Sequence, residues 1–197
     1  MKYFFPLFVF LIFSCSNKKQ EDQLKAIDVM NSKLEKFESK LEANKIDTIA
    51  GLKVATTSLI IRIQNNYYSE KVDLAFGRKM DEFKELSEII VPDMDGGVNH
   101  EKTLDRRFLD IKKSISEEKK ALKLLKADIE DGNGKKEQYD EFITYEQRKV
   151  NLIGELLKVY MYYKEKQLPR FIGLYKHLDG IAKDLEKKNA IKKPTKK

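Results

Sequence analysis

Few residues in this chain could do chemistry, and most lack the spacing their chemistry needs. His100-Glu101 opens like a zinc-protease helix, but the position four residues on is Leu104, so the second imidazole ligand is missing. The acidic stretch Asp93-Met94-Asp95-Gly96-Gly97 has the composition of a calcium loop. Its twelfth position counted from Asp93 is again Leu104, where an EF-hand needs a bidentate glutamate. Glu118 and Glu146 are carboxylates set in apolar helical patterns. A dinuclear metal site in a bundle would add Glu-x-x-His partners, and the chain has none. His177 gains no partner from its neighbours, and no Gly-x-Ser-x-Gly elbow or phosphate-cradling glycine loop occurs. The expectation is therefore no enzyme, no metal and no cofactor. One reactive residue is well placed: Cys15, the only cysteine, directly behind Ile12-Phe13-Ser14.

Lys2 followed by the apolar run Tyr3 to Phe13 and the small Ser14 has the build of a secretory signal. The run falls short of the ~20 residues that a membrane-crossing helix requires. Ile12 at minus three, Ser14 at minus one and then Cys15 resemble the lipobox of bacterial lipoproteins, with Phe13 bulkier than usual at minus two. The resemblance covers about fifteen residues. It implies cleavage before Cys15, a diacylglyceryl group on its sulfur, and acylation of the new amino terminus. It further implies, through Ser16, delivery to the outer membrane. Lipidation would also consume a thiol that is otherwise a liability in an oxidising compartment.

These residues must be carried by the remaining 183, which is enough for one domain with a real core. Of the 197 residues, 41% are hydrophobic and 36% charged, with no Trp, 4 Pro and 9 Gly, a balance that suits long amphipathic helices better than sheets. The expected fold is an all-α antiparallel bundle of about five helices with a C-terminal helical hairpin. Residues 1–14 are the signal peptide, 15–22 a lipidated tether, 23–186 the bundle and 187–197 a disordered lysine-rich tail.

Apolar residues three and four apart mark the helices. Ile27, Met30, Leu34, Phe37 and Leu41 form the first seam. Ile46 to Ile63 continue a helical face in which Gly51 leaves open whether there is one helix or two. Ser69 is the expected N-cap of a helix carrying Val72, Phe76, Met80, Phe83, Leu86 and Ile90, and Asn99 that of the next. Leu104, Phe108, Ile111, Ile115, Glu118, Leu122, Leu125 and Ile129 step by four and three without a fault. Asp131-Gly132-Asn133-Gly134 then reverses the chain, and Tyr139, Ile143, Glu146, Val150, Ile153, Leu157 and Tyr160 return. Leu168-Pro169 ends or kinks that helix, and a last one runs through Leu185.

A hairpin folded about Asn133 sets Glu118 level with Arg148, and Glu146 level with Lys120. The expected result is a polar core layer of Glu118, Glu146 and Arg148, or a lysine in its place, that fixes register in an apolar seam. Tyr160 belongs to the seam, while Tyr162 and Tyr163 cannot both share it, so packing and recognition remain equally open for the tyrosines.

The formal charge of +7 is concentrated at one end. Lys187, Lys188, Lys192, Lys193, Lys196 and Lys197 face Glu186 alone, and the body is near neutral, which argues against nucleic acid as a partner. Those lysines are the candidate contact for a polyanion such as a glycan. In composition the chain is similar to small helical surface lipoproteins of spirochaetes, which implies adhesion to host matrix or recruitment of serum factors. The expected role is thus a lipid-anchored, non-enzymatic binding or adhesion protein of the outer membrane, on the cell surface. The competing role is a periplasm-facing accessory subunit of an envelope machine, which would need an uncovered apolar seam. The partner, protein or glycan, and the oligomeric state stay open.

Overall fold

The computed structural model describes residues 6–46, 49–68, 73–91 and 103–192, with side chains from Lys18 onward. Every regular element among them is helical. In order they are α1 (Pro6–Glu42), α2 (Ile49–Asn66), α3 (Leu74–Ile90), α4 (Leu104–Asp131), a 3-10 turn (Lys136–Gln138), α5 (Tyr139–Tyr162), a π turn (Tyr163–Gln167) and α6 (Leu168–Lys192). The fold is all-α, and the helices α5 and α6 are joined directly by the π turn. They divide into two units, Met1–Ala43 with Asp110–Leu157, and Asn44–Leu109 with Lys158–Lys197.

The first unit packs α1 with most of α4 and α5. Its core is the alternating residues themselves: Ile27, Met30, Leu34 and Leu41 of α1, Ile111, Ile115, Leu122 and Ile129 of α4, and Val150, Ile153 and Leu157 of α5, all buried. Each such aliphatic side chain contributes about 1.5–3 kcal/mol on burial. Directions follow from the cross-helix pairs. Lys126 bonds Asp28 at 2.7 Å, Lys119 bonds Glu38 at 2.5 Å and Lys112 bonds Glu42 at 2.6 Å, so α4 runs antiparallel to α1. Gln23 reaches Asp140 at 2.6 Å and the Phe37 ring lies over Gly154, so α5 runs parallel to α1.

The reversal between α4 and α5 is a Schellman turn. The Asn133 amide donates to the Asp128 carbonyl at 2.8 Å, and Gly132 takes φ +69°, a conformation costly for a residue with a Cβ. The Tyr139 hydroxyl sits between the carbonyls of Asp128 and Asn133 and locks the turn from the far side.

In the second unit α6 is flanked by α2 and α3. Phe83 stacks on Phe171 with centroids 5.2 Å apart, and Arg170 bonds Glu82, while His177 meets Lys79, so α3 is antiparallel to α6. Arg62 grips Glu186 with two nitrogens and Asp179 with a third, and Asn66 meets Asn189, so α2 is parallel to α6.

Several boundaries differ from expectation. The helix stops at Glu42, residues 43–46 are not helical, and Gly51 lies in the first turn of α2, so there are two helices here. Asp73 caps α3 by accepting from the Phe76 amide at 3.0 Å; Ser69 and Val72 lie outside the described residues, as does Asn99. Pro169 does not end the helix, because a π turn in which the Leu168 amide bonds the Tyr163 carbonyl precedes it. The supposed tether is helical, and Lys19, Gln20 and Gln23 are docked on α4 and α5. The supposed disordered tail is helical through Lys192.

Two glycines test this account in opposite senses. Gly132→Ala should lose about 1–2 kcal/mol, since its φ is positive and the new Cβ would meet the Lys136 ammonium at 2.8 Å. Gly51→Ala, in a helix with nothing within 4 Å, should gain about 0.5–1 kcal/mol. Urea melts of both variants check this, and equal effects would refute the turn assignment.

Candidate functional site

The best-defined polar group in the first unit is the layer between α4 and α5. Glu118 lies on the core seam of α4 and is only 2% exposed. Its Oε2 accepts from Lys149 Nζ at 2.8 Å, and the same ammonium donates to Glu146 Oε2 at 2.6 Å. Glu118 Oε1 is buried with no partner. The expected layer exists, but its cation is Lys149. Arg148 is exposed and belongs to a different face, because one residue on a helix is a rotation of 100°. Lys120, expected opposite Glu146, is exposed as well.

Burial pushes the Glu118 carboxyl up to about 7; Lys149 pulls it down in part, and neighbouring Glu146 pushes it further up. Lys149 is held above the usual ammonium range by the two carboxylates, against the opposing effect of its own burial. A carboxyl titrating near neutrality could act as a general acid, but Glu118 is enclosed, so no substrate reaches it. The arrangement is a structural layer.

The other candidates are as follows. Cys15 lies on α1, five residues before Gln20. His100 and the 93–97 loop are outside the described residues, and His177 is exposed with its Nε2 2.9 Å from Lys79 Nζ. Among the described residues no group of three His, Cys, Asp or Glu could hold a metal, and no helix is long and apolar enough to cross a membrane. Lys187 and Lys188 are exposed on α6, Lys192 ends that helix, and Lys193, Lys196 and Lys197 are not described. Tyr160 is buried, with its hydroxyl donating to the Asn44 carbonyl at 2.8 Å and pushed up to about 12 by burial. Tyr163 lies under the Arg107 guanidinium at 5.0 Å, whereas Tyr162 is exposed. Of the adjacent tyrosines that follow α2, Tyr67 stacks on Phe76 and Tyr68 is exposed. A cleft of about 270 Å³ opens beside the α4–α5 turn, lined by Lys19, Gln20, Gln23, Lys136, Glu137 and Tyr139 among others.

One feature was not anticipated. In the first unit α5 carries a second apolar line on its outer surface. Phe142, Tyr145, Leu152 and Leu156 are 44%, 59%, 61% and 39% exposed, and Lys149 fills the gap with its ammonium 5.2 Å over the Tyr145 ring. The steps are three, four, three and four, the repeat of a helix-packing seam, here without a helix on it among the described residues. The same spacing was visible in the sequence.

Because its folded-state carboxyl titrates above the unfolded one, Glu118 stabilises the fold fully below about pH 4.5 and loses that contribution as pH rises through about 7. The loss should be on the order of 1–3 kcal/mol. Glu118→Gln should remove this slope, leaving a stability difference from the parent that grows between pH 5 and pH 8. Chemical denaturation at the two pH values measures it, and a constant difference would refute the assignment.

No protein-family model, curated protein or solved structure gives a significant match to this chain.

Proposed function

We propose that this chain is a lipid-anchored, non-enzymatic interaction protein of the bacterial envelope, tethered at the outer membrane through acyl chains on Cys15, and that it holds a protein partner along the outer face of α5. The observation that carries this reading is the exposed line Phe142, Tyr145, Leu152 and Leu156, an apolar seam with packing periodicity and, among the described residues, no helix over it. It favours the accessory-subunit role, which needs such a seam, over the adhesin role, which does not. Aromatic residues in the line suit an interface, since they supply large contact area with few rotatable bonds. The anchor is supported by the position of Cys15 behind Ile12-Phe13-Ser14.

A second reading keeps surface adhesion through the lysines of the C-terminal end, of which Lys187 and Lys188 are exposed on a helix. The two readings separate by experiment. Crosslinking in intact cells, followed by identification of the captured envelope protein, should succeed with the parent. Capture should fall at least about tenfold in the double variant Tyr145→Glu, Leu152→Glu, the change expected when hot-spot residues of an interface are removed. Its melting temperature should be little changed, since both side chains are exposed. Undiminished capture would sink the seam reading. If binding is instead lost in Lys187→Glu, Lys188→Glu and weakens as salt rises, with protease shaving of intact cells removing the protein, the adhesin reading replaces it.

A further inference from the structure

We infer that the α4–α5 turn of the first unit is the bilayer-facing end of that unit, resting on the phospholipid headgroups of the leaflet that holds the anchor. The inference depends on the proposed acylation of Cys15 and adds to it which surface the anchor commits to the membrane.

It starts from how little free chain separates the cysteine from packed structure. Lys19 bonds Asp140 at 2.8 Å, Gln20 donates to the Ile129 carbonyl at 2.7 Å, and Gln23 donates to Asp140 at 2.6 Å. Only Ser16, Asn17 and Lys18 remain between the acylated sulfur and the first docked residue. If that stretch stays helical, Cys15 is about 7.5 Å along the axis from Gln20. Drawn out fully, the four steps from Cys15 to Lys19 reach only about 14 Å.

The turn lies on the same side. Since α4 is antiparallel to α1 and its Ile129 carbonyl is level with Gln20, the residues beyond Ile129 lie toward Cys15. Those are residues 130–137, from Glu130 through the turn to Glu137. A headgroup layer is about 5–7 Å deep per leaflet, and along helical α1 the level of Gln20 and Ile129 is about 7.5 Å from Cys15, so the turn beyond Ile129 lies nearer still and meets that layer. The exposed side chains here, Lys18, Glu130, Asp131, Asn133, Lys135, Lys136 and Glu137, are all polar, so this end rests on the headgroups and does not insert into the acyl region. Lysines at positions 18, 135 and 136 offer ammonium groups to lipid phosphates.

The test uses the acylated full-length protein in vesicles of mixed zwitterionic and anionic phospholipid. Acylation consumes the only native thiol, so Asn133→Cys and Ala43→Cys each accept one fluorophore. Ala43 stands about 40 Å up α1 from Cys15 and serves as the distant reference. A quencher carried on the lipid headgroup should quench position 133 at least about fivefold more than position 43, since contact quenching fades over the ~40 Å between them. A flexible insertion of roughly twelve Gly and Ser residues after Ser16 should erase the difference, because such a linker spans about 20 Å. Lys135→Cys repeats the measurement should Asn133→Cys disturb the turn. Equal, weak quenching at both positions in protein whose mass shows the acyl chains would overturn the footing while leaving the anchor intact. A mass without acyl chains, in protein that does not sediment with vesicles, would overturn the anchor and the footing together.

Discussion

The first unit depends on the reversal at Asp128–Tyr139, because this turn sets the register between α4 and α5 and everything downstream inherits it. The Asn133 amide and the Tyr139 hydroxyl both donate to the Asp128 carbonyl, which the end of α4 would otherwise leave open. The Gln20 side chain then takes the Ile129 carbonyl, so α1 caps the same helix end from outside. Three helices are therefore tied at one point. From there α1 rises alongside α5 and opposite α4, and its ion pairs to Lys112, Lys119 and Lys126 follow at intervals set by that starting point. These pairs are largely exposed and individually contribute little to stability; their value is in favouring one alignment.

The same register brings Glu118 under Lys149. A carboxyl with 2% exposure and an unpartnered oxygen would be a poor choice if stability alone were at stake, since an apolar residue of similar volume often does better. What it excludes is slippage. Sliding α5 by one turn would strand Glu118 among Ile115, Leu122 and Val150 without its cation, at the cost of a buried unpaired charge or of protonation. The raised titration of Glu118 shows that the compensation is incomplete even in register.

Much of this was legible in the sequence, and the gaps have physical causes. The unbroken four-and-three spacing from Leu104 to Ile129 located α4 because burial on one face demands that period. Folding the hairpin about Asn133 placed the partner of Glu118 at 148, one residue from the true 149. That single step is a 100° rotation, which separates a core position from a solvent position, so level alone could not choose between Arg148 and Lys149. The docking of residues 15–22 is not legible because Lys19 and Gln20 carry no apolar signal; they dock through polar contacts to α5 and α4, which a hydrophobic pattern does not register. The line on α5 was missed for the opposite reason. Each helix was assigned one seam, and Phe142, Tyr145, Leu152 and Leu156 form a second at the same period, offset around the axis.

Lys149 joins the two seams. Its ammonium reaches inward to Glu118 and Glu146, while it also lies over the outward ring of Tyr145. The polar layer of the core is thus also the midpoint of the outer line, with Phe142 and Tyr145 on one side and Leu152 and Leu156 on the other. A helix laid along that line meets apolar surface, then a cation already committed to two carboxylates, then apolar surface again. A partner that covers Lys149 with an apolar side chain adds desolvation to an ion that is already largely compensated, whereas one that brings a second cation opposes it. A single polar position inside an apolar seam is how helices discriminate registers and partners. In this chain that position serves the packing of α5 on α4 and, under the proposed role of the outer line, also sets what α5 presents to a partner.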